Sequence, residues 1–216
     1  MSSPMPTTKR RVDLDGPDFY PTPAWATEAL LRVESFQGGI MEPACGDGAI
    51  SKVLQKAGYE IESSDLYDRG FGLYGGDFLL MTQGKFPVLN IVTNPPYILA
   101  EKFVLKALEI AQRKVALFLR LAFFESDTRY EAIFARTPPI RAWAFSQRVT
   151  MYPNGVQTAG TGTTAYAWFV WESENGSFLR EGASTPVGWI PPGSKPKAEK
   201  RERPEIGLSL SDLGLQ

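Results

Sequence analysis

Apolar positions come in short runs whose period switches repeatedly between two and about 3.6, with polar, glycine- or proline-bearing breaks between them. Ala24–Val33 has helical spacing; Thr22 is placed to cap it and Pro23 to occupy the first helical position, where a missing N–H costs nothing. Gly39–Glu42 is a short apolar strand that feeds a glycine turn, Ala49–Ala57 a helix closed by Gly58, and Tyr59–Ser64 a strand ending at Asp65. A short strand at Phe71–Tyr74 leads to Gly76-Asp77-Phe78, and Val88–Thr93 is a buried strand ending at Asn94. Ala100–Arg113 reads as a helix, Lys114–Leu119 as a strand, and Ser126–Arg136 as an amphipathic helix opened by Ser126 or Asp127. Ile140–Phe145 is a strand, Ser146–Thr164 a long loop, and Ala165–Trp171 a last strand rich in aromatic residues.

Strands alternating with helices predict an α/β fold: a doubly wound, mostly parallel, seven-stranded Rossmann-like sheet with helices on both faces. The strands are unbroken apolar runs, as expected where both faces are buried. Residues 1–18, polar and carrying Lys9-Arg10-Arg11, read as a mobile arm, and residues 19–181 as the domain. From 182 to 216 the composition shifts to Pro, Gly, Ser, Lys and Glu, which predicts a disordered tail.

The 216 residues suffice for one well-buried α/β domain and not for two of full size. Charges interrupt every apolar stretch, so no membrane span is expected, and Met1–Arg11 lacks the apolar core of a leader. Cys45 is the single cysteine, which forbids an internal disulfide and suits a reducing, cytoplasmic setting. The chain has no histidine, so Ser-His-Asp and Cys-His arrangements and histidine metal sites are excluded, and no metal centre is expected. Catalysis must rest on carboxylates, amides, aromatic rings and positioning. A net charge of −1 argues against wholesale polyanion binding but leaves room for a local basic face.

In a doubly wound sheet, ligands sit outside the carboxyl ends of the strands. Glu42-Pro43-Ala44-Cys45-Gly46-Asp47-Gly48, Asp65, Asp77 and Asn94 all fall at such ends and should share one crevice. The turn lacks Gly-Lys-Ser/Thr and the three-glycine dinucleotide spacing. An acid ending the second strand suits ribose hydroxyls, and one after the third suits an adenine amino group; each alone also reads as a solvated turn residue. In Asn94-Pro95-Pro96-Tyr97, two prolines stiffen a loop that can hold an amide and a ring in fixed relation, suited to gripping a planar –NH2 group.

Tyr20-Pro21-Thr22-Pro23, the Glu42–Gly48 turn, Asp65, Gly76-Asp77-Phe78 and Asn94-Pro95-Pro96-Tyr97 together resemble the ordered motifs of S-adenosylmethionine-dependent N6-adenine methyltransferases. The order is similar to the gamma arrangement, and Leu119–Phe123 and Ala167–Trp171 resemble small phage and prophage members. The resemblance covers Phe19–Trp171 and implies a class I methyltransferase domain acting on adenine N6 in DNA, with S-adenosylmethionine as cofactor. It implies that Glu42, Pro43, Ala44, Cys45, Gly46 and Gly48 hold the methionine part, helped by Tyr20, Thr22 and Pro23. Asp65 would take the ribose, Asp77 and Phe78 the adenine, and Asn94 with the Pro95 carbonyl both hydrogens of the target amine, beside Pro96. Tyr97 would stack on the target base, a contact worth ~1–3 kcal/mol. Larger DNA members carry a separate target-recognition domain, for which this chain has no room, so DNA over RNA stands as a preference.

Between Ala100 and Thr150 there are nine Lys or Arg against five acids, and Lys102, Lys106, Arg120, Arg129, Arg136, Arg141 and Arg148 could form a phosphate-contacting face. Arg120 and Arg148 follow strands and would point to the crevice as substrate-binding residues, with Tyr152 in a loop that closes on substrate. Solvated helix faces explain each cation singly as well. Cys45 reads as a small buried turn residue, and Trp168 and Trp171 as core or sheet-edge aromatics. Three alternatives remain: a structured-RNA adenine target, a glutamine side-chain amide in a protein, and a silent nucleic-acid-binding module. The glutamine enzymes carry a Gly-x-Gly-Ser-Gly turn and a helical N-terminal domain, neither seen here, and a silent module needs neither Asn94 nor Asp65.

Overall fold

The computed structural model of the protein describes residues 19–82, 87–157 and 162–196. The expected arm at 1–18, the end of the tail at 197–216 and part of the long loop at 158–161 lie outside the described residues. Eight strands form one sheet: β1 (Ile40–Glu42), β2 (Ile61–Asp65), β3 (Leu73–Tyr74), β4 (Val88–Thr93), β5 (Ala111–Arg120), β6 (Arg141–Phe145), β7 (Tyr166–Glu172) and β8 (Val187–Ile190). Their order is β3-β2-β1-β4-β5-β7-β6-β8. All neighbours run parallel except β7, which is antiparallel to both β5 and β6. The strand order reverses between β1 and β4, which sets the crevice at their carboxyl ends.

Three helices cover the sheet: α1 (Ala24–Val33), α2 (Ala49–Lys56) and α3 (Ala100–Ile110). Side chains alternate across each central strand. Ile91, Val115, Leu117, Phe169 and Trp171 pack with Phe103, Val104 and Ala107 of α3. Val92, Ala116, Phe118, Trp168 and Val170 pack with Leu30 of α1 and Ile50 and Leu54 of α2. Trp168 and Trp171 are thus core residues, each donating its indole N–H to a backbone carbonyl, of Ala26 at 2.9 Å and Thr137 at 2.8 Å.

Several expectations need correction. The helix at 100–113 stops at Ile110, because Ala111 already pairs with Val88 of β4 and the ladder claims the next residues. The helix at 126–136 is one α-turn, Asp127–Arg129, capped by Ser126, that runs into a π-helical turn, Tyr130–Phe134. Thr22 does not cap α1: the N-cap is Pro23, in an extended conformation, and the Thr22 hydroxyl is buried without a hydrogen-bond partner among the described residues. The stretch from 182 is not all tail, since β8 adds an eighth strand, parallel to β6. A strand of four residues between Pro186 and Pro191 leaves too little periodicity to read. Its Gly188 has no room for a side chain, because a Cβ there would lie 2.2 Å from the Trp143 ring.

A buried ionic network ties the end of α1 to the sheet. Glu34 accepts hydrogen bonds from Lys114 Nζ at 2.9 Å, from Arg141 Nε and Nη2 at 2.6 and 2.9 Å, and from Trp143 Nε1 at 2.8 Å. Glu172 adds ion pairs of 3.4 Å to Lys114 and 3.3 Å to Arg141. Burial alone would raise the Glu34 pKa, but the donors from Arg141, Trp143 and Lys114 outweigh it and hold the carboxyl below its usual range. The lowered pKa makes this contribution to stability present above the unfolded value of 4.5 and lost as pH falls. Glu34→Ala removes the buried partner of the Lys114 ammonium, leaving it the Ser35 carbonyl and the half-exposed Glu172, and should lower the unfolding free energy in urea by ~3 kcal/mol at neutral pH. An unchanged midpoint would show that the network contributes nothing.

Candidate functional site

The cleft opens at the carboxyl ends of β1, β2 and β4. Its walls are Phe19–Thr22, Glu42–Asp47, Ala49 and Ile50 on one side, with Asp65–Tyr67 and Arg69. Gly76–Leu79, Asn94–Tyr97, Leu99 and Phe103 complete it. Of the residues expected at the cofactor and target sites, Pro23 and Gly48 do not line it, nor do Arg120, Arg148 and Tyr152.

The glycine turn works through backbone conformation. Gly46 has φ +55°, and a Cβ on it would meet the Phe19 ring at 2.4 Å, so only glycine fits. Its N–H donates to Asp65 Oδ2 at 2.8 Å, while the Tyr67 N–H donates to Asp65 Oδ1 at 3.0 Å. Asp65 therefore ties the β1 turn to the end of β2. Asp77 Oδ1 likewise accepts from the Leu79 N–H at 2.9 Å, capping the turn Phe78–Leu80.

Asn94 is oriented by its partner. Nδ2 donates to the Tyr20 carbonyl at 3.1 Å, and only nitrogen can donate to a carbonyl, so the amide cannot be turned round. Oδ1 is then left buried with no hydrogen-bond partner among the described residues. The segment carrying Tyr20 is itself fastened by the long loop, whose Asn154 N–H donates to the Phe19 carbonyl at 2.7 Å. The Arg69 guanidinium lies 4.4 Å from the Phe19 ring centroid.

Four carboxyls, Glu42, Asp47, Asp65 and Asp77, face one guanidinium, Arg69, around the cleft. Glu42 is fully buried and accepts from the Ser51 hydroxyl, whose oxygen lies 2.6 Å from that of Ser63. Burial, with the Asp65 and Asp47 charges adding to it, pushes the Glu42 carboxyl up to about 8. Burial and the Glu42 and Asp65 charges push the Cys45 thiol up to about 12, which rules out a thiolate nucleophile. Burial also drives the Tyr97 phenol upward. Among the described residues no group of three or more acid or cysteine side chains could hold a metal ion, and no helix is long and apolar enough to cross a membrane.

Several cations of the expected basic face have partners within the chain, while Lys102 stands exposed. Arg141 serves Glu34, Lys106 pairs with Glu109 at 2.8 Å, Arg136 pairs with Glu181 at 3.4 Å, and Arg129 donates to the carbonyls of Phe123 and Glu125. Arg120 lies over the Tyr97 ring, and Arg148 donates to the Gly162 carbonyl. Sequence reading missed Phe19, Tyr67, Arg69 and Phe103 among the cleft residues. Of these, Phe19 precedes a quoted motif residue and Tyr67 lies two after one, so proximity was the available signal; nothing local marks Arg69 or Phe103.

No family model matches the sequence, and no curated protein is similar to it. Solved structures share the fold. A candidate RNA methyltransferase from Pyrococcus horikoshii is 17% identical, with a TM-score of 0.52 over 70% of this chain and 84% of its own. The modification subunit of a candidate type I restriction enzyme from Vibrio vulnificus is 15% identical, with a TM-score of 0.51 over 76% of this chain and 46% of its own. The type I restriction-modification methyltransferase subunit of Streptococcus thermophilus is 12% identical, with a TM-score of 0.51 over 77% of this chain and 45% of its own. The chain spans less than half the length of those two subunits. The fold is thus the Rossmann-like α/β sheet that these proteins share.

A raised Glu42 pKa has a stability signature. The group favours the folded state fully below the unfolded value of 4.5, and that contribution is lost as pH rises toward about 8. Glu42→Gln mimics the protonated form, so urea unfolding of the variant should lose this part of the decline between those pH values. A variant with the parental pH profile would show that Glu42 ionises normally in the free protein.

Proposed function

We propose that the protein is an S-adenosylmethionine-dependent methyltransferase that methylates the exocyclic N6 of adenine in DNA. The observation that carries this reading is the Asn94 amide: anchored through Nδ2 by the Tyr20 carbonyl, it offers a buried, unmatched acceptor in the cleft. A target amine supplies the missing donor. The fold shared with restriction-modification and RNA methyltransferases supports the same reaction class. The charge of the cleft favours this cofactor too. The Asp47, Asp65 and Asp77 carboxyls suit a ligand with a sulfonium and an ammonium and oppose one rich in phosphates.

The residues fit the group. Glu42–Gly46 would hold its methionine part under Tyr20–Thr22, Asp65 the ribose through the lone pairs its backbone bonds leave, and Asp77 with Phe78 the adenine. When bound, it presents a methyl group on a sulfonium, a good leaving group. Asn94 Oδ1 and the Pro95 carbonyl accept the two hydrogens of the target amine, which draws the nitrogen toward tetrahedral and localises its lone pair. The group would supply its methyl carbon to that pair and keep the electrons of the broken C–S bond as a neutral thioether, and the amine would release its surplus proton to water. Positioning and fixed dipoles do the work, so no histidine base is needed. Adenine in a duplex would be flipped out to reach the cleft and stacked on Tyr97.

DNA and RNA incubated separately with the protein and cofactor, digested to nucleosides and analysed by mass spectrometry, should yield N6-methyl-2′-deoxyadenosine from DNA. The mark in RNA alone, or on a glutamine amide, would replace the substrate; no methylated product from any of them would end the reading. Asn94→Ala removes the acceptor and should slow methyl transfer by ~100-fold or more, with cofactor affinity by calorimetry little changed. Asp65→Ala should instead weaken cofactor binding by ~10-fold or more, because it removes the ribose contact and frees the Gly46 turn together. Parental affinity in that variant would place the ribose elsewhere.

A further inference from the structure

Resting on the reading above, we propose that Arg120 is a positioning residue of the target slot. It braces the Tyr97 ring from the side away from the cleft, so that the cleft side accepts a flat heteroaromatic base in preference to an aliphatic amide. Arg120 ends β5 and pairs across the ladder with Tyr166. That register puts both on the sheet face covered by α1 and α2, together with Phe118. The Arg120 guanidinium carbon lies 4.6 Å from the Tyr97 ring centroid. Tyr166 stands 5.9 Å from the same ring and stacks on Phe118 at 5.0 Å, so the wall behind Tyr97 continues into the core. Tyr97 lines the cleft, whereas Arg120 and Tyr166 do not, and the ring therefore separates them from it.

The chemistry of Arg120 fits a brace better than a phosphate contact. Its Nε is buried with no hydrogen-bond partner among the described residues, so the edge that this nitrogen shares with the neighbouring Nη is closed to a phosphate. The π face of Tyr97 is what offsets the burial. A cation against one face draws electron density toward it and leaves the other face less negative, which favours stacking by an electron-rich purine. A side-chain amide offers a far smaller π surface than the fused rings of a purine and gains less from that arrangement.

The test is a double-mutant cycle on methyl transfer to the nucleic acid that the parent protein methylates. Arg120→Ala should lower kcat/KM about 10-fold, a loss on the scale of one cation–π contact. Arg120→Lys, which keeps a cation, should lose less. In a Tyr97→Ala background the Arg120→Ala effect should fall to within about twofold, because a residue acting through the ring has nothing left to hold. The salt dependence of nucleic-acid binding and the cofactor affinity should stay parental. Additive effects in the cycle would overturn the proposal, as would a fall of about one unit in the salt slope, which would put Arg120 on a phosphate. Should Arg120→Ala fail to fold, Arg120→Gln carries the same comparison. A parent without transferase activity removes the proposed function and this inference together; an active parent with additive variants removes the inference alone.

Discussion

Burial of both faces of the central strands is the constraint on which the rest depends. With α3 packed on one side and α1 and α2 on the other, β4, β5 and β7 have no surface where a polar ligand could lie. Polar chemistry is pushed to the strand ends, where backbone groups leave the ladder and need new partners. At the reversal between β1 and β4 two loops diverge and leave a cleft. Asp47, Asp65, Asp77 and Asn94, which line it, also satisfy backbone groups there.

That double duty changes how the acidic residues are understood. Asp65 and Asp77 look like ligand contacts in sequence, yet each already accepts backbone N–H groups, of Gly46 and Tyr67 in one case and of Leu79 in the other. They build the cleft and also charge it. Burial, with the nearby Asp65 and Asp47 charges adding to it, pushes the Glu42 carboxyl up to about 8 and so favours its neutral form. Asn94 belongs to the same economy of partners: the Tyr20 carbonyl takes its donor and leaves the acceptor turned inward.

The cations show the opposite case. Counting arginines and lysines along 100–150 suggests a basic face, but the three-dimensional arrangement gives several of them partners within the domain. Lys114 and Arg141 meet Glu34 across 80 and 107 residues of sequence, and Arg120 meets an aromatic ring. No local pattern distinguishes a cation that will find a distant carboxylate from one that will face water.

Local patterns carried what is local. Sequence pattern located all three main helices and seven of the eight strands; those buried between layers must repeat their apolar residues at their own period, whereas β3 is exposed at both residues. Turn chemistry located Gly46, whose left-handed φ and contact with Phe19 exclude a side chain, and the strand-end rule located Glu42, Asp65, Asp77 and Asn94. Tertiary structure decided the remainder: the end of α3 at Ile110, where pairing with β4 takes over, and the short β8, whose place depends on β6. It also decided that Thr22 leaves its cap, that Arg69 and Phe103 reach the cleft, and that Arg120 lies behind Tyr97. Each of these is set by a neighbour remote in sequence, and a chain read one segment at a time does not carry the distance between them.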